Sequence, residues 1–472
     1  MRKLLLAAAA AALTTTSSAG AQSAQERLDA RYDRALAAGY KAMMLCSAIS
    51  TSERLGGSRS VESIEEWELT GIQSPLDAIV RDLPHEIERY TVEGMERAPI
   101  YQVRVEWADD MPPRMATHSA NGGCFSHPIG APIFEAPPLS EEDAQNEIID
   151  DGWTVADTVL TAPVQEQVSA PTFDGTYGEG TRTSAALVVT GGSIVMEQYA
   201  DGFGPDTPQR TWSVAKSIAA TLVGIAVYAD EMSVDDPIRL NYWMQGGAMD
   251  PRNQITIDHA LRMATGRYSD TSGNRTVPLY WGGSTVNETA LTWPVVHAPG
   301  TVFRYANNDT LLAVKSVERY LNYYEPAEVL ARFGMHRTVV ESDYAGGFVL
   351  SSQVWSTARD LAMLGQLHVN DGVWDGERLL PDNWREYVSD PSGPQPEGRA
   401  WGYGAGWWTF RRPEGNAFEG IPDDAFFASG RRGQYVVVVP SRNVVIVRRG
   451  EDGVGTRFDI ASFTRDVLAI LD

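Results

Sequence analysis

Apolar residues recur along this chain in three different rhythms, and each rhythm predicts a different kind of element. Over residues 25–44 the spacing is helical, with Leu28, Tyr32, Ala35, Leu36, Tyr40 and Met43 on one stripe, so the segment reads as an amphipathic helix. Residues 97–107 alternate like a strand past their proline, and a turn-rich stretch leads from Met111 to Cys124. These residues read as a small N-terminal module spanning 22–150. The acidic, proline-containing residues 137–151 read as a surface connection, which places a boundary near residue 150.

Past that boundary, over residues 151–472, the rhythm changes. Residues 184–190 and 193–199 are strand-like runs around Gly191-Gly192, the pattern of a β-hairpin. Residues 217–227 follow without a single charge and are apolar on nearly every face, as a helix inside a core should be. Helical patterns and Trp-, Gly- and Pro-containing loops fill the middle to about Leu380. Strand patterns then return at 404–410, 434–439 and 444–449, with a Pro440 to Asn443 turn, and 458–471 reads as a closing amphipathic helix. Strands at both ends of a helical insertion predict an α/β fold. One antiparallel sheet is built from distant segments and flanked by helices, with a helical subdomain and the added N-terminal module.

Composition narrows the function. The 472 residues, 43% hydrophobic and 21% charged, suffice for a large core, and a net charge of −23 works against binding nucleic acid or an anionic membrane. The start of the chain has the three parts of a secretory leader: Arg2 and Lys3, an apolar run from Leu4 to Leu13, and the small residues Ala19-Gly20-Ala21. Residues 1–21 are therefore expected to be a signal peptide and the mature protein to be exported, periplasmic or secreted. It is not expected to be inserted in a membrane, because no later run approaches the roughly 18 apolar residues of a span. In an oxidising compartment Cys46 and Cys124 are expected to form a disulfide, stabilising the fold by roughly 4–5 kcal/mol; two buried thiols are the alternative.

The chemistry begins at Ser213-Val214-Ala215-Lys216, a hydroxyl and an amine one helical turn apart at the head of the apolar helix. The chain has four lysines, and one placed in such a helix calls for a reason. A general base must be able to lose its proton, which a desolvated lysine does and an arginine does not. The plain alternative is that Ser213 caps the helix and Lys216 reaches out to solvent. Two more elements weigh against that alternative: Tyr305-Ala306-Asn307, and Ala428-Ser429-Gly430-Arg431-Arg432-Gly433-Gln434 at a strand entry.

Ser-x-x-Lys, then Tyr-x-Asn, then a small-residue and glycine motif on a strand edge resembles the penicillin-recognising serine hydrolases. These include class C β-lactamases, D-Ala-D-Ala peptidases, related esterases and the 6-aminohexanoate-dimer (nylon-oligomer) hydrolases, the last being the nearest in motif. The resemblance runs from roughly Pro163 to the C-terminus. It implies that Ser213 is the nucleophile, that Lys216 and Tyr305 move its proton, and that Asn307 orients the lysine. It also implies an oxyanion hole from the backbone N–H groups of Ser213 and Arg431, with Gly430, Arg431 and Arg432 binding substrate. Tyr268 would add a second hydroxyl, and Trp243, Trp281, Trp293 and Trp407 are candidates for an apolar pocket wall.

One departure matters. β-Lactamases and peptidases of this family usually carry Lys or His where this chain has Ala428, so efficient penicillin hydrolysis is not expected unless Arg431 or Arg432 supplies the missing cation. The expected function is an acyl-enzyme serine hydrolase for small esters or linear amides, with a D-Ala-D-Ala peptidase or weak β-lactamase as alternatives. A non-catalytic muropeptide-binding protein is the alternative of another class. The seven histidines show no metal-ligand spacing and there is no G-x-S-x-G elbow or nucleotide loop, so no metal or cofactor is expected. The expected partner is a small-molecule substrate; the sequence leaves the oligomeric state open.

Overall fold

The computed structural model describes residues 2–93, 95, 98–119, 123–140, 152–153, 162–230, 232–268 and 276–472, with backbone alone for 2–22 and 162–163. Most of the expected connection near residue 150 lies outside the described residues.

A seven-stranded antiparallel sheet organises the larger part. Its strands are β5 (Thr183–Thr190), β6 (Ser193–Tyr199), β7 (Gly402–Tyr403), β8 (Trp408–Thr409), β9 (Phe426–Gly430), β10 (Gln434–Val439) and β11 (Val444–Gly450), in the order β7-β8-β9-β10-β11-β5-β6. Joining β11 to β5 closes the sheet from the two ends of the region, as the sequence predicts. The run Tyr-Val-Val-Val-Val in β10 is apolar without alternation because both faces are covered. Val436 and Val438 enter the core that contains helices α3 (Ala215–Ala229) and α6 (Ala358–Val369), while Val437 and Val439 enter a second core with Phe458, Phe463 and Val467. The last two belong to α7 (Ile460–Leu471), which Asp459 caps by accepting from Ser462 N–H at 3.1 Å.

The expected strand at 404–410 is instead two short strands, β7 and β8. Between them the chain dips to the top of α3, where Ser217 donates its hydroxyl proton to Gly406 O at 2.8 Å. Residues 212–229 have the length and mean hydropathy of a membrane span, a stretch longer than the sequence reading allowed. Eighty-three per cent of that window is buried inside the protein.

The N-terminal residues form α1 (Arg2–Arg54), α2 (Val61–Trp67) and a four-stranded antiparallel sheet, β1 (His85–Arg89), β2 (Ile100–Val105), β3 (Arg114–His118) and β4 (Cys124–Ser126). The single apolar stripe expected on residues 25–44 is corrected. Leu28 and Tyr32 are 59% and 41% exposed, whereas residues 35–52 are buried on every side. The sheet covers one side of α1, and helix α4 (Val277–Trp281) of the larger part covers another. Tyr40 packs on Trp281 with ring centroids 4.4 Å apart. Cys46 on α1 and Cys124 on β4 form a disulfide with Cα atoms 6.2 Å apart. The buried residues of α1 belong to the same apolar core as α3 and α6.

Candidate active site

Ser213 sits in a one-turn 3-10 helix, Trp212–Val214, that feeds directly into α3. Trp212 has φ +49°, a left-handed conformation costing a bulky residue on the order of 1–3 kcal/mol, so its surroundings must hold it there. They do so with the buried Arg210, whose guanidinium carbon lies 4.0 Å from the Trp212 ring centroid and 4.4 Å from that of Trp281. Arg210 is itself fixed by Ser352, donating to its Oγ at 2.9 Å. The result is a half-buried Ser213 standing on a rigid turn.

Lys216, one turn along, is 2% exposed. Its Nζ lies 3.1 Å from Ser213 Oγ, 2.6 Å from Asn307 Oδ1 and 2.8 Å from Ser351 O. All three partners are neutral, and burial pushes the lysine pKa down to about 7. As an ammonium Nζ donates to all three; after losing its proton it keeps two N–H bonds for Asn307 and Ser351 and has a lone pair for the Ser213 hydroxyl. Asn307 opens α5 (Asn307–Ser316), and its own Nδ2 donates to Thr276 Oγ1 at 2.8 Å, which sets the amide with its oxygen toward Lys216.

Tyr305 lies over this pair, its ring centroid 5.2 Å from Lys216 Nζ. Trp408 stacks against it at 5.5 Å, and Tyr403 meets it edge-on at 6.0 Å. Burial raises the phenol pKa, while a hydrogen bond with Ser213 pulls the other way. The fourth side is the end of β9. A Cβ on Gly430 would stand 2.4 Å from Thr211 O, so only glycine lets this strand end approach the Ser213 turn. Arg431 is the next residue, its side chain exposed.

Ser213, Lys216, Tyr305 and Asn307 are thus brought together, with Gly430 and Arg431 beside them. Arg432 is a correction: its guanidinium is not turned to substrate but is buried against Glu451 and the carbonyls of Trp67 and Thr70. Trp243 and Trp407 are also corrected, because both are fully buried core residues. Trp281 reaches the site through Trp212, with ring centroids 6.3 Å apart. Trp293 packs against Tyr268 at 6.2 Å; Tyr268 is 41% exposed and precedes residues 269–275, which lie outside the described residues. Ala428 is buried in the core.

Sequence reasoning missed Ser351, Thr276, Tyr280, Trp212, Tyr403 and Trp408. Ser351 contributes a backbone carbonyl, which no side-chain motif encodes, and the Tyr280 hydroxyl bonds its Oγ at 2.6 Å. Among the described residues no group of three or more His, Cys, Asp or Glu is placed to hold a metal ion.

A family model described as beta-lactamase matches residues 164–449. A 6-aminohexanoate-dimer hydrolase of Paenarthrobacter ureafaciens is 27% identical over 301 residues, covering 57% of this chain and 73% of that protein. A solved Bacillus anthracis structure assigned to the 6-aminohexanoate-dimer hydrolases superposes with a TM-score of 0.50 at 21% identity, covering 61% of this chain and 79% of its own. A class C β-lactamase superposes with a TM-score of 0.49 at 13% identity, covering 68% and 99%. The family match takes in more than half of the chain and leaves the residues before 164 outside it, so this protein belongs to the β-lactamase family of serine hydrolases.

Proposed function

We propose that the protein hydrolyses small carboxylic esters or linear amides through an acyl-enzyme on Ser213. The observation that carries this reading is Lys216, buried among neutral acceptors with a pKa brought down to about 7. Neutral Lys216 takes the Ser213 proton as Oγ attacks the substrate carbonyl carbon, and the carbonyl π electrons move onto oxygen. Two N–H groups, of Ser213 and Arg431, receive that oxyanion; such donors contribute about 3–4 kcal/mol each in comparable sites. Collapse expels the alkoxide or amine, which takes a proton delivered from Lys216 through Tyr305, leaving Ser213 acylated. Water then attacks the acyl carbon while the same groups accept its proton, releasing the acid and restoring Ser213.

The substrate class rests on two supports: the relative named for the 6-aminohexanoate dimer, and Ala428 in place of the cation that carboxylate-binding members carry. We further propose export with removal of residues 1–21, which the Cys46–Cys124 bond supports.

The test is active-site labelling and a substrate panel. A fluorophosphonate should add its mass to Ser213, and turnover should appear with p-nitrophenyl esters or linear amide oligomers and be weak with a chromogenic cephalosporin. Reversible muropeptide binding with no adduct and no turnover would replace this reading with that of a binding protein.

A further inference from the structure

The residues that precede the family match are not a detached appendage, because their chain enters the turn that carries Arg431. That turn, residues 431–433, joins β9 to β10, with Gly430 paired to Gln434. Its central residue, Arg432, has φ +61°, a conformation an L-residue other than glycine avoids at a cost of roughly 1–2 kcal/mol. Something must hold it, and the structure shows what does.

The Arg432 side chain, 3% exposed, is held at two places. On one side Nε donates to the Glu451 carboxylate. On the other, Nη2 donates to Trp67 O at 2.7 Å and Thr70 O at 2.8 Å. Trp67 is the last residue of α2, where backbone carbonyls lose their intrahelical partners and need donors from elsewhere. The guanidinium donates to both carbonyls and to one oxygen of the carboxylate, a task for which its fixed planar donors suit it. Two further bonds hold the segment: Val454 N–H donates to Gly71 O at 3.0 Å, and Tyr40 of α1 donates its hydroxyl proton to Glu68 O at 3.3 Å.

We infer that residues 67–71 of the N-terminal module position the oxyanion-binding N–H of Arg431, with Arg432 as the positioning residue that transmits the constraint. The inference rests on the acyl-enzyme reading above. The turn is closed by the Gly430–Gln434 pair, so a change in the Arg432 dihedrals must be taken up by its neighbours within the turn, and Arg431 is one of the two available. The N-terminal module is then part of the catalytic geometry without touching substrate. Its effect falls on the transition state, where charge develops on the carbonyl oxygen, and spares ground-state binding.

Full-length Arg432→Met tests this. Expected are a kcat per fluorophosphonate-titrated site lower by roughly 10- to 100-fold, the scale of a displaced catalytic group, a KM within about threefold of wild type, and boronate affinity falling in proportion to kcat. Arg432→Lys, which keeps a cation for Glu451 without the planar fork, should recover part of the loss. Gly71→Ala strains the same contact from the module side, because Gly71 has φ +71° and its Cβ would stand 3.0 Å from Gly453 Cα. It carries the test if Arg432→Met does not fold. A purely structural role would lower thermal stability or the titratable fraction and leave kcat per titrated site unchanged. A folded variant of either kind with that value within about twofold of wild type overturns the inference. Absence of labelling in the wild type would instead remove the acyl-enzyme reading on which it rests.

Discussion

Lys41 in α1 and Lys216 in α3 are buried to nearly the same depth, 1% and 2% exposed, and they meet different kinds of partner. Lys41 donates at 3.0 Å to the Glu65 carboxylate and at 3.0 Å to each of the carbonyls of Arg81 and Leu83, which ties α1 to the loops around it. Its charge has an anionic partner. Lys216 has just as many partners, but they are a hydroxyl, an amide oxygen and a peptide carbonyl. No anion offsets its desolvation, so its proton leaves near pH 7. Burial beside an anion favours the ammonium; burial among neutral acceptors favours the free amine.

That contrast is open to attack at several points. The largest effect should come from Ser213→Ala and Lys216→Ala, each lowering turnover by roughly 10⁴-fold or more and abolishing the phosphonate adduct seen by mass spectrometry. Tyr305→Phe should cost roughly 10²–10⁴ in kcat while the adduct still forms, more slowly. Asn307→Asp is the sharpest test, because it gives Lys216 the carboxylate that Lys41 already has. In the wild type, kcat/KM should rise with pH through about 7 as Lys216 loses its proton. The aspartate should hold that proton and move the rising limb of the pH–rate profile upward by roughly 1–3 units; an unmoved limb would mean that Lys216 is not the titrating base.

The smallest effects are on stability, and for Lys216 they should depend on pH. Lys216 has a folded pKa below its unfolded value of 10.5, so the unfolded chain binds more protons between pH 7 and 10.5. Its burial therefore destabilises fully below pH 7, and the penalty fades as pH rises across that window. Lys216→Met removes that penalty but also leaves Ser351 O and Asn307 Oδ1 without their donor, so its melting temperature relative to wild type should be higher at pH 6 than at pH 9. Lys41→Met should lose about 1–3 kcal/mol by leaving buried carbonyls without donors, read as a lower melting temperature.

Much of this was legible in the sequence. The uncharged run after Ser213 predicted a buried helix, and two β-branched runs around Pro440 to Asn443 predicted strands; their unbroken apolarity reflects burial on both faces. The grouping of Ser213, Lys216, Tyr305 and Asn307 was legible as an ordered set of motifs. What escaped was information carried by the backbone. The left-handed Trp212 and Arg432 look ordinary in a sequence, and the Ser351 carbonyl that receives Lys216 is the same in every residue type. The opposite fates of Arg431 and Arg432, neighbours and chemically identical, depend on the 67–70 segment more than 360 residues away in the chain.

The pairing of β11 with β5 has a consequence for how the chain reaches this state. The strand that completes the sheet beside β5 lies roughly 250 residues further along the chain, a separation that slows folding. Until it arrives, the edge of β5 presents unpaired N–H and C=O groups, and once made, the valine-rich hairpin of β10 and β11 must find that edge before it finds another copy of itself. Arg442 in the turn and Arg448 and Arg449 at the end of β11 supply charge against such self-association. The window in which this protein is most at risk of aggregation is therefore the interval between completion of β5 and release of the last strands, well before any substrate is met.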